Sequence, residues 1–188
     1  LKRIETELPG VFIVEPQVFE DPRGCFFETY HQKKFVALGI GTVFVQENHS
    51  ITNGGILRGL HYQLAHPQAK LCRVIRGEVF DVAVDIRVGS ETFGRWIGVV
   101  LSADNKRQLF IPRGFAHGFI VRSEVAEFIY RCDDFYHPED EGGVLWSDPQ
   151  LAITWGNANP RLAERDARFP PLSEIGPDRL PDYKGNAN

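Results

Sequence analysis

Between Val11 and Trp146 the apolar residues fall in short runs divided by turn chemistry, and few windows carry a helical period, which confines the chain to an architecture of many short strands. The runs predict strands over Val11 to Pro16, Cys25 to Tyr30, Val43 to Ile51, Ile56 to Gln63, Leu71 to Ile75, Glu78 to Ile86, Trp96 to Leu101, Gln108 to Ile111, Ala116 to Val121, Ala126 to Arg131 and Gly143 to Trp146. Asn53-Gly54-Gly55 and Arg76-Gly77 permit the positive φ of a hairpin, and Ala103-Asp104-Asn105-Lys106 reads as a polar loop. Strands at such regular spacing predict a sandwich or barrel. His31 to Leu38 is expected to form one short helix stopped by Gly39, and a second short helix is expected near Ala163 to Ala167. The expected organisation is one domain over residues 1–188: N-terminal strands in 1–30, a barrel core over about 43–147, and a proline-rich helical and extended tail over 156–188.

Composition removes several classes of function. The net charge of −4 and the lack of a basic block leave no electrostatic footprint for nucleic acid. Charge interrupts every apolar stretch before membrane-spanning length, and Lys2, Arg3 and Glu5 stand where a signal peptide would be apolar. Three cysteines without CxxC spacing encode neither a disulfide framework nor a structural zinc site. A soluble, cytoplasmic protein is expected.

Two histidines sit in motifs that bring glycine backbone close to a ligand: Arg58-Gly59-Leu60-His61-Tyr62-Gln63 and Ile111-Pro112-Arg113-Gly114-Phe115-Ala116-His117-Gly118-Phe119. They resemble the two halves of a cupin motif, which implies a mainly β, cupin-like jelly-roll barrel with a few short helices. A metal-binding cupin would carry a second histidine two positions after His61 and an acid downstream; here Gln63 and Lys70 occupy those places, so no metal is expected. Arg58, His61, Lys70, Arg73 and Tyr130 would gather titratable groups in an otherwise apolar barrel, an arrangement costly to bury without a ligand. The competing reading places the same groups on outward strand faces, hydrogen-bonded and solvated.

Ordered runs then extend the resemblance along most of the chain. Val18-Phe19-x-Asp21-x-Arg23-Gly24, Phe27-Glu28-x-Tyr30, Phe44-Val45-Gln46-x-Asn48-His49-Ser50, Leu57 to Gln63, Gly77 to Arg87, Asn105 to Leu109, Ile111 to Phe119 and Ala126-Glu127-Phe128-x-Tyr130 are similar to the dTDP-4-dehydrorhamnose 3,5-epimerase family, from about Ile4 to Asp166. Beyond Leu172 no resemblance is used.

The resemblance implies a dTDP-sugar substrate with a ketone at C4, and inversion at C3 and C5 by proton removal and return, without a cofactor. His61 matches the family's base and Asp166 the acid that orients it. Lys70 matches a cation beside the C4 oxygen, and Tyr130 the acid on the opposite face. Arg23 and Arg58 match diphosphate contacts, Glu28, Gln46 and Asn48 the nucleoside end, and Phe19 and Tyr136 its stacking or edge partners. His117 is either a supporting group or a packed barrel histidine. The family is homodimeric, with N-terminal strands completing the neighbour's sheet. Three rivals remain open at this stage: an enzyme inverting C3 alone, a non-catalytic nucleotide-sugar-binding barrel, and a metal-dependent cupin oxygenase.

Overall fold

In the computed structural model, which describes residues 1–185, the predicted runs pair into two antiparallel sheets. One has six strands in the order β1 (Lys2–Glu5), β2 (Phe12–Glu15), β10 (Gln108–Ile111), β7 (Lys70–Arg76), β12 (Val125–Cys132) and β5 (Gln46–Asn53). The other has five, in the order β13 (Glu141–Gly143), β6 (Leu57–Gln63), β11 (Phe115–Val121), β8 (Glu78–Asp85) and β9 (Trp96–Ser102). Most neighbours are distant in sequence, so both sheets are closed by long crossovers, the wiring of a jelly roll. A separate two-stranded ribbon joins β3 (Val18–Asp21) to β4 (Gly24–Phe27).

Side-chain alternation sorts the strands into layers. Cys72, Val74, Ala126 and Phe128 from the six-stranded sheet meet Val79, Ala83, Phe115 and Phe119 from the five-stranded sheet in the central core. There the rings of Phe119 and Phe128 stack with centroids 4.3 Å apart. The alternate residues Val82, Val84, Ala116 and Ile120 are roofed by Trp155, Leu172 and Leu180 of the C-terminal segment. On the other sheet Phe12, Val14, Leu71 and Phe110 are covered by Phe35 and Ile40. With both faces covered, β11 is buried at every position, and the apolar run there replaces strict alternation.

The helix α1 (Gln32–Ala37) lies within the predicted span. Gly39, at φ +94°, ends it, with the Gly39 N–H bonded to the Val36 carbonyl at 3.0 Å and the Ile40 N–H to the Phe35 carbonyl at 2.9 Å, a Schellman closure. Three expectations need adjustment. The helix expected near Ala163 to Ala167 is a single 3-10 turn at Asp166–Arg168, in a tail tied to the barrel by short bridges at Ile56–Arg161 and Val88–Asp182. The last predicted strand lies earlier: the Glu-Gly-Gly backbone pairs with β6, because Gly143 leaves the space that the Phe169 ring fills, within 2.5 Å of where a Cβ would stand. Finally, β1 and β2 join this chain's own six-stranded sheet through β10, and the part of the N-terminal region that stands apart is the β3–β4 ribbon.

Candidate active site

His61 and His117 face each other across the β6–β11 pair, where the register slips between His117 and Phe119. The slip follows from glycine chemistry. A Cβ on Gly59, which sits at φ +129°, would lie 2.5 Å from Gly118 Cα, so only two glycines allow the strands to approach this closely. The freed Gly59 N–H donates to Asp166 Oδ2 at 3.1 Å, and Asp166 Oδ1 lies 2.9 Å from His61 Nε2. Asp166 is 2 % exposed. Burial works to raise its pKa, but the hydrogen bonds from His61 and Gly59 and the nearby Arg165 charge outweigh it and hold the carboxyl below its ordinary value. This pairing fixes one imidazole nitrogen and leaves Nδ1 directed elsewhere, with Glu141 Oε1 at 3.9 Å. Phe169 presents itself edge-on to the ring at 5.7 Å.

The opposite wall comes from the inner face of the six-stranded sheet. Tyr130 is paired with Cys72 on one side and Asn48 on the other, and Lys70 with Cys132, so strand register puts Lys70, Tyr130, Asn48 and Gln46 on one face. Lys70 Nζ stands 5.9 Å from the Tyr130 ring centroid. Burial pushes the Tyr130 phenol up to about 12, so it carries its proton at neutral pH. The two walls meet around Phe128, whose ring neighbours both His117 at 6.2 Å and Tyr130 at 5.9 Å.

His117 is a buried group with its own acid. Its Nε2 lies 2.5 Å from Asp81 Oδ1, while Asp81 Oδ2 is buried without a hydrogen-bond partner among the described residues. Burial lowers the His117 pKa, with the Asp81 charge opposing, which favours a neutral ring donating to a carboxylate. The Cys72 sulfur is 3.9 Å from the same nitrogen, and burial raises its thiol pKa well above the ordinary value, so the sulfur holds its proton.

Of the nucleotide-side candidates, Gln46, Asn48 and Tyr136 come together: Gln46 Nε2 donates to Asn48 Oδ1 at 3.0 Å, and Gln46 Oε1 accepts from the Tyr136 N–H at 3.0 Å. Arg58 is held by Thr52 Oγ1 at 3.1 Å and, with His61, Arg161, Arg165 and Asp166, lines a cavity of about 260 Å³. Phe19, Arg23 and Glu28 lie elsewhere: none lines that cavity, Arg23 is ion-paired with Asp21 at 2.6 Å, and Glu28 with Lys34 at 2.9 Å.

Two polar groups at the site, Glu141 and Asp81, were missed by sequence reasoning. Glu141 accepts from Tyr136 Oη at 3.0 Å, is ion-paired with Arg165, and faces His61. Nothing in its local run marks it, because β13 is visible only through pairing. Asp81 had a signal: a lone acid inside Val79-Phe80-Asp81-Val82-Ala83 must be buried with a partner.

Known proteins share both sequence and shape. A family model described as dTDP-4-dehydrorhamnose 3,5-epimerase matches residues 5–174. The protein of that name from Shigella flexneri is 56% identical over 165 residues, spanning 87% of this chain and 91% of its own. A dTDP-6-deoxy-D-glucose-3,5-epimerase from Legionella pneumophila, solved in complex with dTDP-4-keto-L-rhamnose, superposes with a TM-score of 0.95 at 49% identity, covering 98% of this chain and 99% of that one. A 3'-monoepimerase from Streptomyces bikiniensis, solved in complex with dTDP-quinovose, gives 0.88 at 32% identity, covering 96% and 93%. A match over most of the chain, in sequence and in fold, makes this chain a member of the dTDP-4-dehydrorhamnose 3,5-epimerase family.

Proposed function

We propose that the protein is an isomerase that converts dTDP-4-dehydro-6-deoxy-D-glucose to dTDP-4-dehydro-β-L-rhamnose by inverting C3 and C5. The carrying observation is that His61, on β6 of the five-stranded sheet, is paired with Asp166 of the C-terminal segment, while strand register puts Lys70 and Tyr130 on one face of the six-stranded sheet. A C–H beside a ketone is removed only when the developing enolate is stabilised, so the reaction needs a base, a cation near the C4 oxygen, and an acid on the far face. His61, oriented through Nε2 by Asp166, takes the proton with Nδ1. Lys70 stabilises the enolate oxygen. Tyr130, kept protonated by burial, returns a proton from the opposite side, and inversion results. No cofactor enters this scheme.

Arg58 binds the diphosphate, and Gln46, Asn48 and Tyr136 bind the nucleoside end, while His117 supports the sugar side. Arg23, Glu28 and Phe19 serve a partner's site in a homodimer, a role that fits a ribbon whose Arg23 side chain is 90% exposed and whose Phe26 is 72% exposed. Double inversion is favoured over inversion at C3 alone by the higher identity to the 3,5-epimerases, 56% and 49%, against 32% to the 3'-monoepimerase. Incubation with the keto-sugar nucleotide in deuterated water tests the reading. Deuterium is expected at both C3 and C5, read by NMR; label at C3 alone would assign the mono-epimerase, and none would remove the activity. His61→Ala is expected to abolish exchange at both carbons.

A further inference from the structure

Two histidines and an aspartate that the proposed chemistry does not use converge at the surface, on the loops that follow β6 and β12. The rings of His66 and His137 stack with centroids 3.8 Å apart at an interplanar angle of 15°. One nitrogen of each ring and a carboxylate oxygen of Asp134 all lie within 4.8 Å of one another. Zinc holds nitrogen and oxygen ligands at about 2.0–2.2 Å, which puts two ligands at a tetrahedral angle about 3.4 Å apart. His66 is exposed and the other two are half-buried, so small side-chain rotations close the remaining gap.

The backbone beneath these groups is already fixed. Gln63 Nε2 donates to the carbonyls of His66 at 2.6 Å and Phe135 at 3.2 Å, and its Oε1 accepts from the His137 N–H at 2.7 Å. Asp140 accepts from the N–H groups of Ala65 at 3.0 Å and His66 at 2.8 Å. His137 Nδ1 faces Glu139 Oε1 at 3.2 Å, an outer carboxylate of the kind that sets the tautomer of a metal-bound imidazole and leaves Nε2 for the ion. Asp134 Oδ1 accepts from the Phe135 N–H at 2.9 Å, and Arg113 Nη2 lies 3.9 Å from Asp134 Oδ2 while its closer carboxylate is Asp133, at 2.9 Å. Two imidazoles and a carboxylate suit a borderline dication and disfavour magnesium or calcium, which take all-oxygen shells.

We propose that His66, Asp134 and His137 form a surface site for a borderline transition-metal dication such as Zn²⁺, which staples the two loops together beside Tyr136. The ion takes no part in proton transfer, and the inference stands whether or not the chain is an epimerase. The full chain, stripped with chelator and desalted, is titrated with zinc chloride by calorimetry and melted with and without the ion. One Zn²⁺ per chain and a raised melting temperature are expected, because an ion that binds only the folded state stabilises it. His66→Ala/His137→Ala is expected to lose both effects while keeping the metal-free melting temperature. If that variant melts early, Glu139→Gln decides, with an expected loss of about tenfold in affinity. Cys25→Ser and magnesium chloride are the controls, the first binding zinc like the parent and the second producing no shift. Absence of heat and melting shift in the parent, full affinity in the double variant or in Glu139→Gln, zinc binding lost in Cys25→Ser, or an equal response to magnesium would each overturn the proposal.

Discussion

Asp166 and Tyr130 are two acids that burial treats alike and their neighbours treat differently. Both are desolvated, which by itself favours the protonated form, but Asp166 receives hydrogen bonds from His61 and Gly59 while Tyr130 receives no comparable compensation. One therefore stays ionised, as the proposed orienting carboxylate must; the other keeps its proton, as the proposed acid must. Asp166→Asn is expected to lower kcat by about 10²-fold or more, since acid–base groups contribute roughly 10²- to 10⁴-fold, with steady-state assays at neutral pH as the check. The same substitution has a stability signature. A carboxyl with a lowered folded pKa contributes stability above its unfolded value, near 3.8, and loses it as pH falls through the folded value. Urea unfolding followed from about pH 6 downward should show a flatter acid limb in Asp166→Asn than in the parent. Tyr130→Phe, in contrast, is expected to retain much of the exchange into substrate and to lose inversion; retained inversion would take the second-face role from this phenol.

At the scale of elements, the central strands were legible because each carries its own apolar run, and what escaped was decided by partners. The run Lys2–Glu5 is too short and charged to announce a strand, yet it pairs along β2 at four positions. Val18–Asp21 is largely exposed and owes its strand state to the ribbon alone. His61, Lys70, Tyr130 and Asp166 could be named from motifs, whereas Glu141 needed the register of β13 on β6, and the partner of Asp81, though not its burial, needed that of β11 on β8. Packing inside these elements makes its own predictions. Phe128 is fully buried between Phe119 and Tyr130, so Phe128→Ala should cost about 3–5 kcal/mol in urea unfolding and loosen the wall that holds the phenol. Gly118→Ala places a Cβ 2.7 Å from the Arg58 carbonyl, so overpacking of about 1–3 kcal/mol and a disturbed His61–Asp166 pair are expected, seen as a lowered Tm together with reduced kcat.

For the whole molecule, the C-terminal segment roofs the five-stranded sheet and Phe35 and Ile40 cover part of the six-stranded one, while the β3–β4 ribbon has Phe19 56% and Phe26 72% exposed. The edge strand β5 adds Ile51 at 66%. Exposed aromatic groups on a short ribbon and an unpaired strand edge are surfaces that association would cover. Sedimentation equilibrium is expected to give twice the chain mass of 21.3 kDa. Phe19→Asp/Phe26→Asp should shift that equilibrium toward single chains and lower kcat/KM; an unchanged mass would remove the ribbon from the interface. The roof over the five-stranded sheet has a further consequence. Asp166 reaches His61 from 105 positions along the chain, on the segment that also supplies Leu172 and Leu180. During synthesis, every strand of both sheets leaves the ribosome before this aspartate does, so a nascent barrel can pair its strands while His61 still lacks its carboxylate neighbour, and that contact forms only when the final stretch docks.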